Sequence, residues 1–210
     1  MENGLLKPYQ IHGKMKPKPY LNVKYGVGNR MRKNLLVSGC SFTNHDPESD
    51  GVNSRWYHYI ADKLDMDTIN LARNGSGNEY IFTSIFNYLE TDAVKPDMII
   101  AAWSKSQRRD YQYDGRWMND RVDLRGDLRY HLRKTARYKR MLELLCNHYD
   151  IRYVSLQMLE LGENEEGSPR ISVQDKVLRW NTGDMISKTD HHPSEIGHEK
   201  IGKYVYENYL

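Results

Sequence analysis

The sequence predicts an α/β domain with a mostly parallel sheet covered by helices on both faces, preceded by an extended N-terminal arm. Three observations lead there. Short runs that are apolar at successive positions recur along the chain, as buried parallel strands require. Stretches with helical spacing of apolar residues stand between them, and parallel neighbours need such crossovers. Residues 1–33, in contrast, hold four Gly, three Pro and three Tyr with no sustained period. With 210 residues, 39% hydrophobic and 28% charged, the chain has enough apolar side chains for one folded α/β domain.

The elements follow in order. Leu35-Leu36-Val37 is a short apolar run closed by Gly39, the first strand. Residues 54–64 place Trp56, Tyr57, Ile60, Ala61 and Leu64 on one helical face, with Asn53 or Ser54 as cap. Residues 68–72 form a second strand that runs into Asn74-Gly75-Ser76-Gly77-Asn78. A helical stripe at 81, 82, 85, 86 and 89 marks a helix over 79–90, and Met98 to Trp103 is a third strand, apolar on both faces. Residues of about 104–130 break the rhythm with many Arg and Asp and no clear period, which reads as a long surface insertion. A helix over 131–149, a strand from Ile151 to Leu156, a polar stretch over 157–189 and a closing helix from Ser194 to Tyr209 complete the domain, 34–210.

Charge is unevenly placed. Residues 1–33 carry eight Lys/Arg against Glu2, a net +7, so the rest of the chain sums to −4 within a total of +3. The basic arm is expected to wrap its own domain or to touch a protein partner. Residues 104–140 hold twelve Lys/Arg against five Asp with interleaved Tyr and Trp. No nucleic-acid-binding motif accompanies them, so nucleic acid is not expected as a partner. No apolar run is long enough to span a bilayer and the N-terminus has no apolar h-region, so no membrane association and a cytoplasmic location are expected. The two cysteines, Cys40 and Cys146, suit free thiols in a reducing compartment.

In sheets of this kind ligands sit beyond the carboxyl ends of the strands. Three segments meet at that edge: Ser41 after strand one, Asn74 to Asn78 after strand two, and Trp103 to Arg109 after strand three. A serine hydroxyl becomes a nucleophile when a base takes its proton and a third group orients that base. His192, held between Asp190 and Pro193 ahead of the Ser194 helix start, is the best base, and Asp190 is placed to accept its Nδ1 proton. Ser41, Asp190 and His192 thus form a candidate catalytic triad. For the oxyanion, the N–H of Ser41 and the Gly75-Ser76-Gly77 turn offer backbone donors, and Asn78 or Ser104 a side-chain donor.

Gly39-Cys40-Ser41-Phe42-Thr43, Asn70-Leu71-Ala72 with Gly75-Ser76-Gly77-Asn78, and Asp190-His191-His192-Pro193 resemble, in order, blocks of the SGNH (GDSL-like) hydrolases. The resemblance spans 34–209 and implies a flavodoxin-like three-layer α/β/α sandwich and ester hydrolysis through a serine acyl-enzyme. The "GCSFT" form resembles variants found in bacteriophage genomes, which would place the protein in the host cytoplasm or the virion. Two departures stand out. Cys40 replaces the Asp of the family's first block, and Ala102-Trp103-Ser104-Lys105 replaces Gly-x-Asn-Asp in the third. The oxyanion asparagine is therefore absent from its usual place, and Asn78 is expected to substitute for it. Trp103, Arg108 and Arg109 are expected to bind substrate.

Other chemistries fit less well. Asp190, His191, His192 and His198 hold metal-ligand types, but adjacent histidines diverge and no further cluster has ligand spacing. Gly75-Ser76-Gly77 lacks the remainder of a nucleotide-binding motif. His198 reads as a helix-face residue bonded to backbone. No metal and no cofactor are expected. The sequence thus supports a serine hydrolase of small-molecule or carbohydrate esters, esterase or deacetylase in type. The alternative is a catalytically weak or silent binding module on the same fold, such as a virion or assembly component.

Overall fold

In the computed structural model, Lys33–Ser38 forms β1, Trp56–Leu64 α1, Met66–Asn70 β2, Asn78–Glu90 α2 and Met98–Trp103 β3. Arg109–Tyr113 and Arg116–Asp120 form β4 and β5, followed by α3 (Leu128–His148), β6 (Arg152–Gln157) and α4 (Glu195–Tyr209). The structure describes residues 32–45, 51–91, 94–120, 122–123, 125–158, 182–187 and 192–210. Most of the basic arm, most of the polar stretch 157–189, and Asp190 and His191 lie outside the described residues.

The main sheet has the order β2-β1-β3-β6, and all its pairs are parallel. β3 is apolar throughout and β1 over Leu35 to Val37, and strict alternation divides these side chains between two cores. Leu35, Val37, Met98, Ile100 and Ala102 pack with Trp56, Tyr57, Ile60, Ile201 and Val205 of α1 and α4. Leu36, Ile99, Ala101 and Trp103 pack with Ile81, Ile85, Leu89, Leu142 and Cys146 of α2 and α3. Each fully buried aliphatic side chain contributes about 1.5–3 kcal/mol, so both layers are needed to hold such a sheet. The result is a three-layer α/β/α sandwich. The chain leaves β1 to β2 on one side and returns to β3 on the other, which puts the topological switch point at the carboxyl ends of β1 and β3.

The insertion is better ordered than its composition implies. β4 and β5 form an antiparallel hairpin, registered Arg109↔Asp120 to Tyr113↔Arg116. Its two-residue turn is Asp114-Gly115, with φ of 48° and 69°. An Asp-Gly pair with both residues left-handed matches the twist of the flanking strands. The hairpin is tied to the sandwich through Asp110, a buried carboxylate that accepts from Gly77 N (2.7 Å) and Tyr80 N (2.9 Å). Gly77, the N-cap of α2, has no side chain of its own to serve those amides. Asp110 supplies the cap from 30 or more residues away, in the role a local Ser or Asp ordinarily plays.

Two boundaries move for similar reasons. α3 starts at Leu128 rather than 131, because the Asp127 carboxylate accepts from Tyr130 N at 2.7 Å. β2 begins at Met66, where its pairing with Lys33 opens the β1–β2 ladder, and ends at Asn70. No helix among the described residues is long and apolar enough to cross a membrane.

Candidate active site

β1 ends at Ser38, and Gly39 follows in a place only glycine fits: a Cβ there would stand 2.4 Å from Thr43 Oγ1 and 3.1 Å from Ala102 Cβ. The chain then turns tightly, with Thr43 N and Asn44 N both donating to Cys40 O at 2.9 Å. Ser41 sits half-buried on the outer side of this turn, at the switch point, while Cys40 and Phe42 point into the core. Asn70, at the end of β2, braces the turn. Its amide donates to Thr43 O (3.2 Å) and to Tyr57 Oη (2.9 Å), and its Oδ1 accepts from Ala72 N (2.8 Å). Burial pushes the Tyr57 hydroxyl well above the ordinary tyrosine range, so it stays protonated.

His192 arrives from the far end of the chain. Its Nε2 lies 2.8 Å from Ser41 Oγ, and its ring packs against Phe42 with centroids 5.1 Å apart. With Nε2 unprotonated, the Ser41 hydroxyl donates to it. The segment around residues 182–187 holds this loop: Ile186 N donates to His192 O (2.9 Å) and Ser194 N to Asp184 O (2.9 Å). Ser194 Oγ accepts from Gly197 N at 3.3 Å and caps α4, and buried Asp184 pairs with Lys200 at 2.6 Å. His192 is therefore fixed on three sides by backbone bonds, a proline and a helix start.

Behind the turn lies a layer of imidazoles. Buried Arg55 donates through Nη1 to His198 Nε2 at 2.9 Å. An arginine only donates, so His198 accepts and is neutral. Burial first, then the Arg55 charge, holds its pKa down at about 3. This corrects the expectation of a backbone-bonded His198. His58 accepts from Arg55 N through Nδ1 (3.0 Å), and burial followed by the nearby His45 lowers it to about 4. Among the described residues no group of His, Cys, Asp and Glu could hold a metal ion.

The expected oxyanion donors divide into two sets. Gly77 N is engaged by Asp110 (2.7 Å), and the Asn78 side chain is spent inside the protein. Asn78 Oδ1 accepts from Ser104 N (2.8 Å), and its Nδ2 donates to Ser104 O (3.1 Å) and Thr135 Oγ1 (3.0 Å). Ser104 is fully buried beneath this clamp. Gly77, Asn78 and Ser104 thus lock α2 to the end of β3 and to α3, which corrects the expectation that they face a bound acyl group. Ser41 N and Gly75 N, in contrast, make no hydrogen bond among the described residues. Gly75 has φ of +76°, which glycine adopts freely, and its loop is bonded to the Ser41 turn. Arg73 N (3.1 Å) and Ser76 Oγ (2.8 Å) both donate to Gly39 O.

The expected substrate-binding residues also separate. Trp103 is fully buried in the α2–α3 core with its indole N–H donating to Ser155 Oγ at 2.9 Å, so it is structural. Arg109 is turned to its own hairpin, 3.6 Å from Asp120 and over the Tyr111 ring. Arg108 stays at the mouth, its Nη1 donating to Ser76 O at 3.1 Å. Asp190, the expected orienting acid, lies outside the described residues.

By sequence, no protein-family model and no curated protein matches the chain. By structure it is similar to a protein from Desulfitobacterium hafniense DCB-2 described as lipolytic and of the G-D-S-L family. The two are 13% identical, and the superposition covers 83% of this chain and 98% of that one with a TM-score of 0.53. They share a fold. The likeness is one of architecture, a parallel sheet between two layers of helices.

Proposed function

We propose that the protein is a serine hydrolase of ester bonds, carried by one observation: Ser41 Oγ lies 2.8 Å from His192 Nε2 at the switch point of the sheet. In this reading Ser41 Oγ attacks the acyl carbon as its proton passes to His192 Nε2. The tetrahedral oxyanion is bound by the N–H groups of Ser41 and Gly75. Collapse expels the alcohol, which takes the proton from His192, and leaves the acyl group on Ser41. A water then attacks the acyl-enzyme with His192 as base, releasing the acid and restoring the serine. Asp190 orients His192 and stabilises the imidazolium. The buried Arg55–His198 pair behind the turn takes no proton in this cycle, because His198 resists protonation down to about pH 3.

A second reading, a binding module with weak or no turnover, draws on the commitment of Asn78 and Gly77 to structural contacts, which leaves backbone donors alone for the oxyanion. Losing a side-chain donor costs roughly 3–4 kcal/mol of transition-state stabilisation, so slow turnover accords with either reading and labelling must decide. Incubation with a fluorophosphonate is expected to modify Ser41 in the wild type and in neither Ser41→Ala nor His192→Ala. Hydrolysis of p-nitrophenyl acetate is expected to fall to background in both variants, and the double variant to be no worse than either single one. Equal rates in wild type and His192→Ala would end the hydrolase proposal.

A further inference from the structure

The β4–β5 hairpin brings to the mouth a set of side chains that the proposed chemistry does not use. Trp117 and Asn119 are two residues apart on β5 and so share one face of the hairpin. The Trp117 ring meets Tyr80 of α2 edge-on, with centroids 5.4 Å apart. The Asn119 carboxamide packs closely over Gly75: a Cβ built there would stand 3.1 Å from Nδ2 and 3.2 Å from Oδ1. Asn119 is half-buried, yet its carboxamide makes no hydrogen bond among the described residues, so a donor and an acceptor remain open. Arg73, whose guanidinium lies 5.9 Å over the Tyr80 ring, has no carboxylate partner among the described residues. The loop carrying Arg73 and Gly75 is the one bonded to Gly39 beside Ser41. The wall is rigid, because Asp110 on β4 anchors the hairpin to the first turn of α2.

We propose that this face is the specificity wall of the site, with Asn119 and Trp117 binding the alcohol moiety of the substrate, a polyhydroxylated sugar-type ring. The proposal rests on the hydrolase reading for its chemistry but on its own geometry for binding. A primary amide offers one acceptor and two donors, the set that pairs with neighbouring hydroxyls. An indole edge-packed on Tyr80 presents an apolar surface to the C–H face of such a ring. Methyl acetate, whose alcohol moiety is a single carbon, has no group to engage either residue. Gly75 lets the Asn119 amide sit close, since a Cβ there would press it back by a few tenths of an ångström.

The test compares partially O-acetylated xylo-oligosaccharides with methyl acetate, acid release being followed by pH-stat. Asn119→Ala and Trp117→Ala are each expected to lower kcat/KM on the sugar ester by about 10-fold or more, chiefly through KM, and to leave methyl acetate, which has no alcohol ring to place on the wall, within about 2-fold. Equal losses on both substrates, or no loss on either, overturn the wall. Binding is read separately by calorimetry, with the Ser41→Ala protein titrated with the same acetylated xylo-oligosaccharides. The Ser41→Ala protein is expected to bind them, and the Ser41→Ala/Asn119→Ala protein to bind at least about 10-fold more weakly. Sugar binding that depends on Asn119 in a protein without esterase activity would keep the wall and remove the hydrolase. Esterase activity without sugar binding would do the reverse.

Discussion

Replacing Asn78 by alanine distinguishes a clamp from an oxyanion donor. The side chain is 2% exposed and makes three hydrogen bonds, accepting from Ser104 N and donating to Ser104 O and Thr135 Oγ1. After truncation Ser104 O keeps a partner, because Gln157 Nε2 also donates to it at 3.0 Å. Ser104 N and Thr135 Oγ1 lose theirs, and both residues are fully buried. A buried polar group left without a partner costs about 1–3 kcal/mol, so with two such groups the variant is expected to lose about 2–6 kcal/mol. For a chain of this length, at roughly 2–4 °C per kcal/mol, that corresponds to a Tm lower by roughly 4–24 °C. No bond of Asn78 points to the mouth, so kcat on p-nitrophenyl acetate at 25 °C, where the variant is still folded, should stay within about 3-fold. Thermal unfolding by circular dichroism and initial rates on the same preparation measure both. A wild-type Tm with kcat reduced about 100-fold would show that the amide leaves its clamp to serve the transition state, and would refute this account.

Two further outcomes follow from groups around the site. Asp110→Ala removes the acceptor of two α2 amides and should cost about 1–3 kcal/mol in urea unfolding, with faster hydrogen exchange at Gly77 and Tyr80. Asp110→Asn keeps one acceptor and should lose less; unchanged exchange in the alanine variant would mean that the hairpin does not cap the helix. The histidines make stability depend on pH. Their pKa values are held down in the fold, to about 3 for His198 and about 4 for His58, whereas in the unfolded chain both titrate near 6.5. The unfolded state therefore binds more protons at acid pH. Stability should be level above about pH 7 and fall as pH drops from about 6.5 toward 4, by up to about 1.4 kcal/mol per pH unit for each histidine. Urea midpoints at pH 8, 6.5 and 5 measure this, and a midpoint that does not move between 6.5 and 5 would contradict the buried neutral imidazoles.

Much of the framework was legible because each signal was local. The two central strands were visible as short runs apolar at successive positions, the outer two as shorter mixed runs between helical stripes, and Gly39-Cys40-Ser41 as a strand ending in a small polar turn. His192-Pro193-Ser194 read as a loop pinned to a helix start, and Ser194 does cap α4. The hairpin also carried a local signal that its charge obscured. Asp114-Gly115 is flanked by five-residue strands, and a two-residue Asp-Gly connection is a strong hairpin mark even where the strands are polar.

What no local pattern could show is which polar groups are spent on one another. Gly77 and Asn78 look available in sequence, since a glycine turn before a helix offers bare amides. Asp110 and Ser104, 33 and 26 residues further along, consume them only once the hairpin and the end of β3 are folded against α2. Trp103 closes the same apolar run as its neighbours, and only the pairing of β3 between β1 and β6 decides that it faces the α2–α3 core. The sequence by itself determined the layers and the order in which Ser41 and His192 reach one sheet edge, because strand and helix periodicity is written in adjacent residues. Tertiary structure alone decided which donors remain open at that edge. A hydrogen bond between residues 26 to 151 positions apart depends on the packing of whole elements and leaves no mark on the spacing of either partner.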